Sequence, residues 1–204
     1  MSIDKLHKPL AQAMHEAGYT EPKELLLKAI SKVNAGADIY GMGPKGSGKS
    51  TLAVITAIQK LKEAFEDAPR ALIIVSGKEN ALLMKEQFTL LAKNTGLRVA
   101  AVFEDAPIHK QFDEIYVGVD VVIGTAKRVM EIYFKQGLNI NKLKLFVIDD
   151  AEMIINQGLQ GQIDRLVQSL PKCQHLVLME ELSPKIERLT EKFIRSPVLL
   201  EVKA

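Results

Sequence analysis

The chain has 204 residues, 47% of them hydrophobic, with 27 basic side chains against 25 acidic and a net charge of +2. That length suits one α/β domain with a proper core, and the near balance of charge excludes a global polybasic field, so any contact with nucleic acid has to be local. The single cysteine, Cys173, excludes a disulfide framework; four scattered histidines lack ligand spacing, and no apolar run is long enough to cross a bilayer.

In chain order, residues 4–17 place Leu6, Leu10, Ala13, Met14 and Ala17 at helical spacing, with Gly18 as a stop. Pro22 opens a second predicted helix, whose apolar stripe is Leu25, Leu26, Ala29, Ile30 and Val33. A short strand over 38–42 then leads into Gly43-Pro44-Lys45-Gly46-Ser47-Gly48-Lys49-Ser50, which fits the phosphate-loop pattern G-x-x-x-x-G-K-[ST] at every required position. Residues from Thr51 continue as a helix expected to reach about Phe65, ahead of the breaking cluster Glu66-Asp67-Ala68-Pro69-Arg70. Strand, glycine loop and helix in that order are what phosphate binding requires. Backbone N–H groups close around phosphate oxygens, and the helix N-terminus adds positive charge. Gly43, Lys45, Gly46, Ser47, Gly48, Lys49, Ser50 and Thr51 are the candidate nucleotide-binding residues; Lys49 would reach the terminal phosphates and the Ser50 hydroxyl would serve a magnesium ion.

Five further apolar runs, at 71–75, 99–103, 119–123, 145–148 and 176–179, are short, rich in β-branched residues and nearly continuous. That is the pattern of strands covered on both faces. Helical stretches lie between most of them, and 197–202 reads as a terminal strand. The expected fold is therefore α/β, a parallel sheet covered by helices on both faces, with ligands bound at the carboxyl ends of the strands. The run Leu145-Phe146-Val147-Ile148 ends in Asp149-Asp150-Ala151-Glu152. Asp149, at the ligand edge, is the candidate magnesium ligand, directly or through water, and Asp150 the group that orients or deprotonates an attacking water.

With Gly-Ser-Gly-Lys-Ser and Asp-Asp-Ala-Glu in place, nearly the whole chain resembles the first RecA-like domain of the DEAD-box RNA helicases. Gly18-Tyr19-Thr20-Glu21-Pro22 looks like the start of that family's adenine-recognition motif. Ser76-Gly77-Lys78-Glu79-Asn80-Ala81 sits where the family has Pro-Thr-Arg-Glu-Leu-Ala, and Thr125-Ala126-Lys127-Arg128 where it has Thr-Pro-Gly-Arg. Residues 182–189 and 193–198 match its last helix and strand. The resemblance implies a P-loop NTPase of RecA-like fold over 1–204, with 1–35 as a helical extension packed on it. It implies ATP and Mg²⁺ as cofactors, with Lys49, Asp149 and Asp150 in the catalytic roles. It also implies single-stranded RNA at Lys78, Thr125, Lys127 and Arg128, and a second RecA-like domain or a protein partner across the cleft. A cytoplasmic chain without membrane contact is expected.

The departures carry expectations too. Leu26 stands where the family reads adenine with glutamine, and Met1 is the nearest counterpart of the upstream aromatic. The signature is Asp-Asp-Ala-Glu instead of Asp-Glu-Ala-Asp; Met179-Glu180-Glu181 replaces Ser-Ala-Thr, and Glu104-Asp105 falls near the family's RNA-backbone glycine pair. Hydrolysis is expected to be slow in this chain alone. Two other readings stand beside this one: a non-catalytic half-helicase acting as an RNA- or protein-binding regulator, and a small-molecule kinase, which explains Lys49 but not Lys78 or Arg128.

Overall fold

A computed structural model describes residues 5–19, 21–65 and 67–203; the expectations for Met1, Thr20 and Glu66 fall outside them. The elements are α1 (Lys8–Glu16), α2 (Glu24–Asn34), β1 (Ile39–Met42), α3 (Lys49–Leu61), β2 (Ala71–Val75), α4 (Lys78–Ala92), β3 (Val99–Val102), α5 (Ile108–Tyr116), β4 (Val121–Thr125), α6 (Ala126–Phe134), β5 (Leu145–Ile148), α7 (Ala151–Asn156), α8 (Gln160–Val167), β6 (Gln174–Met179), α9 (Pro184–Thr190) and β7 (Val198–Glu201). The seven strands form one sheet in the order β3-β4-β2-β5-β6-β1-β7, and every pairing is parallel.

Parallel strands need crossover helices, and those helices bury both faces of the sheet. Successive residues of β1 to β6 therefore feed different cores, whereas β7 packs on one of them only. Ile73, Val147 and Leu176 pack with Leu10, Leu25, Leu52 and Phe88 from α1 to α4. Their strand neighbours Ile74, Phe146 and Val177 pack with Val129, Ile154 and Ile163 from α6 to α8. This is why the strands read as continuous apolar runs. Helices α1 and α2 lie on the first of these faces, α1 against α3 and α4, α2 against α3, β1 and β7.

Several boundaries differ from the sequence expectation, each for a local reason. Helix α3 stops at Leu61, four residues early, because Lys62 takes a left-handed φ of 64°. Strand β4 starts at Val121 and runs to Thr125, two residues later than expected, because Asp120 is spent as a clasp below the sheet. Its fully buried carboxylate accepts from Arg70 Nη2 at 2.6 Å and from Arg98 Nε and N, both at 3.0 Å. Strand β6 begins at Gln174, whose amide donates to the Ala37 carbonyl at 2.6 Å. Helices α5 and α7 were not legible as separate elements. Among the described residues, no helix is long and apolar enough to cross a membrane.

Register sets up the site. Met42 pairs with Met179, and Ile148 with both Ile74 and Val177, so β1 and β6 end level while β2 and β5 stop within two residues of them. The residues that follow, Gly43, Ser76, Asp149 and Glu180, emerge at one edge.

Candidate functional site: a phosphate loop facing buried acids

The loop after β1 is anchored by the Gly43 N–H, which donates to Met179 O at 3.2 Å and so extends the sheet by one rung. The chain then reverses through Gly46 (φ 83°) and Gly48 (φ 95°), left-handed conformations that L side chains rarely adopt. Gly48 is the N-cap of α3, which carries the chain over β6 and β5 toward β2. The N-terminus of this helix opens into a cleft of about 660 Å³ lined by Lys45, Lys49 and Thr51 on one side and Ser76, Asp150 and Glu152 on the other.

Lys49 is buried, and its Nζ donates to the loop carbonyls of Gly43 at 2.6 Å and Pro44 at 3.1 Å. An ammonium has three donors, so one stays available to an oxygen in the cleft. The Ser50 hydroxyl donates to Asp149 Oδ2 at 2.7 Å, joining two residues 99 positions apart. Asp149 is only 2% exposed; its other oxygen, Oδ1, is buried with no partner among the described residues. Burial pushes the Asp149 carboxyl up to about 7; the Ser50 hydrogen bond opposes this, the neighbouring Asp150 charge adds to it and Lys49 opposes it. A buried carboxylate with an unmatched oxygen beside a serine hydroxyl is a donor set for a hard divalent cation. The residues therefore fit magnesium, which would be held by Ser50 and Asp149 and would neutralise charge on phosphate oxygens bound at the loop.

The rest of the acidic cluster is held in place from several elements. Asp150, N-cap of α7, adopts a left-handed conformation (φ 57°) and lies 3.5 Å from Asn80 Nδ2. For a non-glycine residue that conformation costs about 1–3 kcal/mol, the kind of strain that clusters at functional sites. Glu152 Oε1 accepts from the Glu180 N–H at 2.9 Å, tying the third acid of the signature to the end of β6. Gln157 donates to the Ser76 carbonyl at 2.9 Å, fixing the far end of α7 to the loop after β2. Thr51 Oγ1 accepts from Gln87 Nε2 at 2.8 Å, and the same amide donates to the Tyr19 hydroxyl at 2.9 Å. Ser47 Oγ is buried without a partner among the described residues.

The expected RNA residues share the carboxyl edge of the sheet but are not equivalent. Lys78 pairs with Asp105 at 3.2 Å, and Thr125 Oγ1 donates to Glu104 Oε2 at 2.7 Å, so the two acids after β3 already engage both. Lys127 is exposed. Arg128 corrects the expectation: its guanidinium is buried and donates to the carbonyls of Glu104 and Ala106 and to Gln111. It shapes the acidic loop and presents no free edge to a phosphate. Sequence reasoning also gave no role to Lys23, whose Nζ donates to the Gly46 carbonyl of the phosphate loop. Nothing local in Pro22-Lys23-Glu24 signals that contact, because it depends on where α2 packs.

The family model for DEAD/DEAH box helicase matches residues 25–179. The chain is 27% identical over 200 residues to the ATP-dependent RNA helicase eIF4A of Eremothecium gossypii, covering 98% of this chain and 50% of that protein. It is 29% identical over 196 residues to the ATP-dependent RNA helicase DbpA of Bacillus subtilis, covering 96% and 41%. It thus spans about half the length of the curated relatives it matches. Among solved structures, a DEAD box protein from the hyperthermophile Methanococcus jannaschii superposes with a TM-score of 0.90 at 21% identity, over 98% of this chain and 54% of that one. An S. cerevisiae Dbp5 variant bound to Nup159, Gle1, IP6 and ADP superposes with a TM-score of 0.86 at 20% identity, over 97% and 52%. Glycine loop, buried Asp149 and strand order thus coincide with a family match over most of the chain: it belongs to the DEAD/DEAH box helicases, and corresponds to their N-terminal RecA-like domain.

Proposed function

We propose that this chain is the Mg-ATP-binding half of an RNA helicase-type ATPase. The observation that carries this is the Ser50–Asp149 contact, which closes the phosphate loop onto a buried acid from β5 and leaves Asp149 Oδ1 unmatched. Gly46, Gly48, Lys49 and Ser50 hold the phosphates of ATP or ADP, and Asp149 with Ser50 holds the metal. Asp150 orients or deprotonates the attacking water. Its side chain is one methylene shorter than the family's glutamate, and misplacement of a general base forfeits part of a roughly 10²- to 10⁴-fold contribution. Hydrolysis by this chain alone is therefore slow, and strand separation requires a second RecA-like domain or a protein partner facing the open cleft. Residues 1–204 act as one such domain, with 1–35 as an extension packed on it.

The direct test is magnesium dependence. With Asp149→Asn, the affinity gained by adding Mg²⁺ to ATP should fall by at least the tenfold that loss of an outer-shell metal partner costs. Unchanged magnesium dependence would remove Asp149 from the site.

Single-stranded RNA is proposed at Lys78, Thr125 and Lys127, as phosphate contact without sequence reading. A second reading, a non-catalytic half-helicase that regulates through RNA or protein binding, is favoured by one observation. Glu104 and Asp105 engage Thr125 and Lys78, which weakens the attraction of this edge for a polyanion.

A further inference from the structure

The charged cleft is poorly equipped to read a nucleobase. Recognition of a base takes a ring or guanidinium face to stack on and free, placed donors and acceptors for its edge. Among the described residues no aromatic side chain lines the cleft, and its amide side chain, Asn80, donates to Ser76 Oγ at 2.7 Å and faces Asp150. Leu26 is buried in the core, and the Tyr19 hydroxyl is held by Gln87. Met153, 46% exposed on the cleft wall, is a flexible apolar surface that accepts any base without distinguishing one.

The positive charge at the loop, by contrast, exceeds what the loop motif itself supplies. Lys23 is exposed, yet its side chain does not trail into solvent. Nζ donates to Gly46 O, and the stem crosses Gly48 so closely that a Cβ there would lie 2.9 Å from Lys23 Cδ. Lys23, Lys45 and Lys49 thus all line the cleft around the anion-binding end of α3. With one N–H on Gly46, the Lys23 ammonium retains two donors for a phosphate oxygen outside the loop.

We propose that Lys23 is a phosphate ligand of this site, and that the chain selects its ligand by the magnesium-bound triphosphate instead of the base, accepting purine and pyrimidine nucleoside triphosphates alike. The inference rests on the nucleotide-binding reading above and names its substrate class.

The test is equilibrium titration of the full 204-residue chain with the Mg²⁺ complexes of ATP, GTP, CTP, UTP and inorganic tripolyphosphate, repeated with Lys23→Ala and Lys23→Arg. The four nucleotides should agree within about threefold and tripolyphosphate should compete with them; Lys23→Ala should weaken all by a common factor of about three to ten, the range of one hydrogen bond made at a solvent-exposed site, and Lys23→Arg should recover most of it. Circular dichroism and the melting temperature of Lys23→Ala should match the wild type. A preference for ATP above about tenfold, beyond 1.4 kcal/mol, overturns the inference while leaving nucleotide binding intact. Equal or tighter binding by Lys23→Ala also overturns it, the latter because it makes Lys23 a plug. No binding of any triphosphate to the wild type overturns the nucleotide-binding reading itself.

Discussion

Asp149 concentrates the electrostatics of the site in one side chain. Its carboxyl is buried against Ser50 and beside Asp150, and the neutral form is favoured up to about pH 7. Because its folded value lies above the ordinary carboxylate value, the folded state holds a proton that the unfolded chain has released, and stability falls as pH rises from about 4 to 7. A magnesium ion reverses that preference by stabilising the charged form. In metal-free buffer the wild type should therefore lose melting temperature across this window relative to Asp149→Asn, which has no proton to release. Thermal denaturation of both at pH 5 and pH 8 checks this; parallel curves would show that Asp149 is not held neutral. Serine, lysine and acid were legible in the sequence because each belongs to a fixed spacing or to the end of an apolar strand. Lys23 was not, since its contact with Gly46 arises from the packing of α2, and Arg128 misled because a surface-type residue after a strand turned inward to brace a loop.

At the scale of elements, two ends of the same strands do different work. Below the sheet, Arg70, Arg98 and Asp120 precede β2, β3 and β4 and clasp them together. Burial alone would raise the Asp120 carboxyl, but hydrogen bonds from Arg98 and Arg70 outweigh it and hold it below the ordinary carboxylate value. Asp120→Ala removes the ion pair of the buried Arg70 guanidinium, so about 3–5 kcal/mol of stability should be lost, on the order of 10 °C in melting temperature for a chain of this size, with nucleotide affinity unchanged. A melting point within a degree of wild type would mean the clasp is dispensable. Above the sheet, the acidic loop after β3 borders the proposed RNA edge. Lys78→Ala with Lys127→Ala should weaken RNA binding evenly across sequences and flatten its salt dependence, whereas Glu104→Gln with Asp105→Asn should strengthen it. Indifference to both pairs of changes, measured by fluorescence anisotropy, would place RNA elsewhere. β1 to β6 could be read from the sequence because burial on both faces leaves little room for polar residues, and β7, exposed at Leu199 and Glu201, was legible only as a short apolar run after Pro197. Helix α5 could not, since Gln111 and Ile115 are its only buried residues, and α7, six residues long, is too short for its periodicity to show.

For the whole molecule, the parallel sheet brings one cationic loop and one acidic strand end to the same edge and leaves the cleft between them open toward solvent. On the proposed function, such a site would bind phosphate and metal by itself, whereas rapid turnover would need groups from another domain or partner. The measurement that tests this most directly is an equilibrium titration of the purified chain with Mg-ATP beside Lys49→Ala. Wild-type binding should be saturable below millimolar nucleotide, and loss of the buried ammonium should weaken it about 10- to 100-fold, as expected for one strong charge-assisted contact. Equal affinity of the two proteins, or no binding by the wild type at millimolar Mg-ATP, would contradict the account.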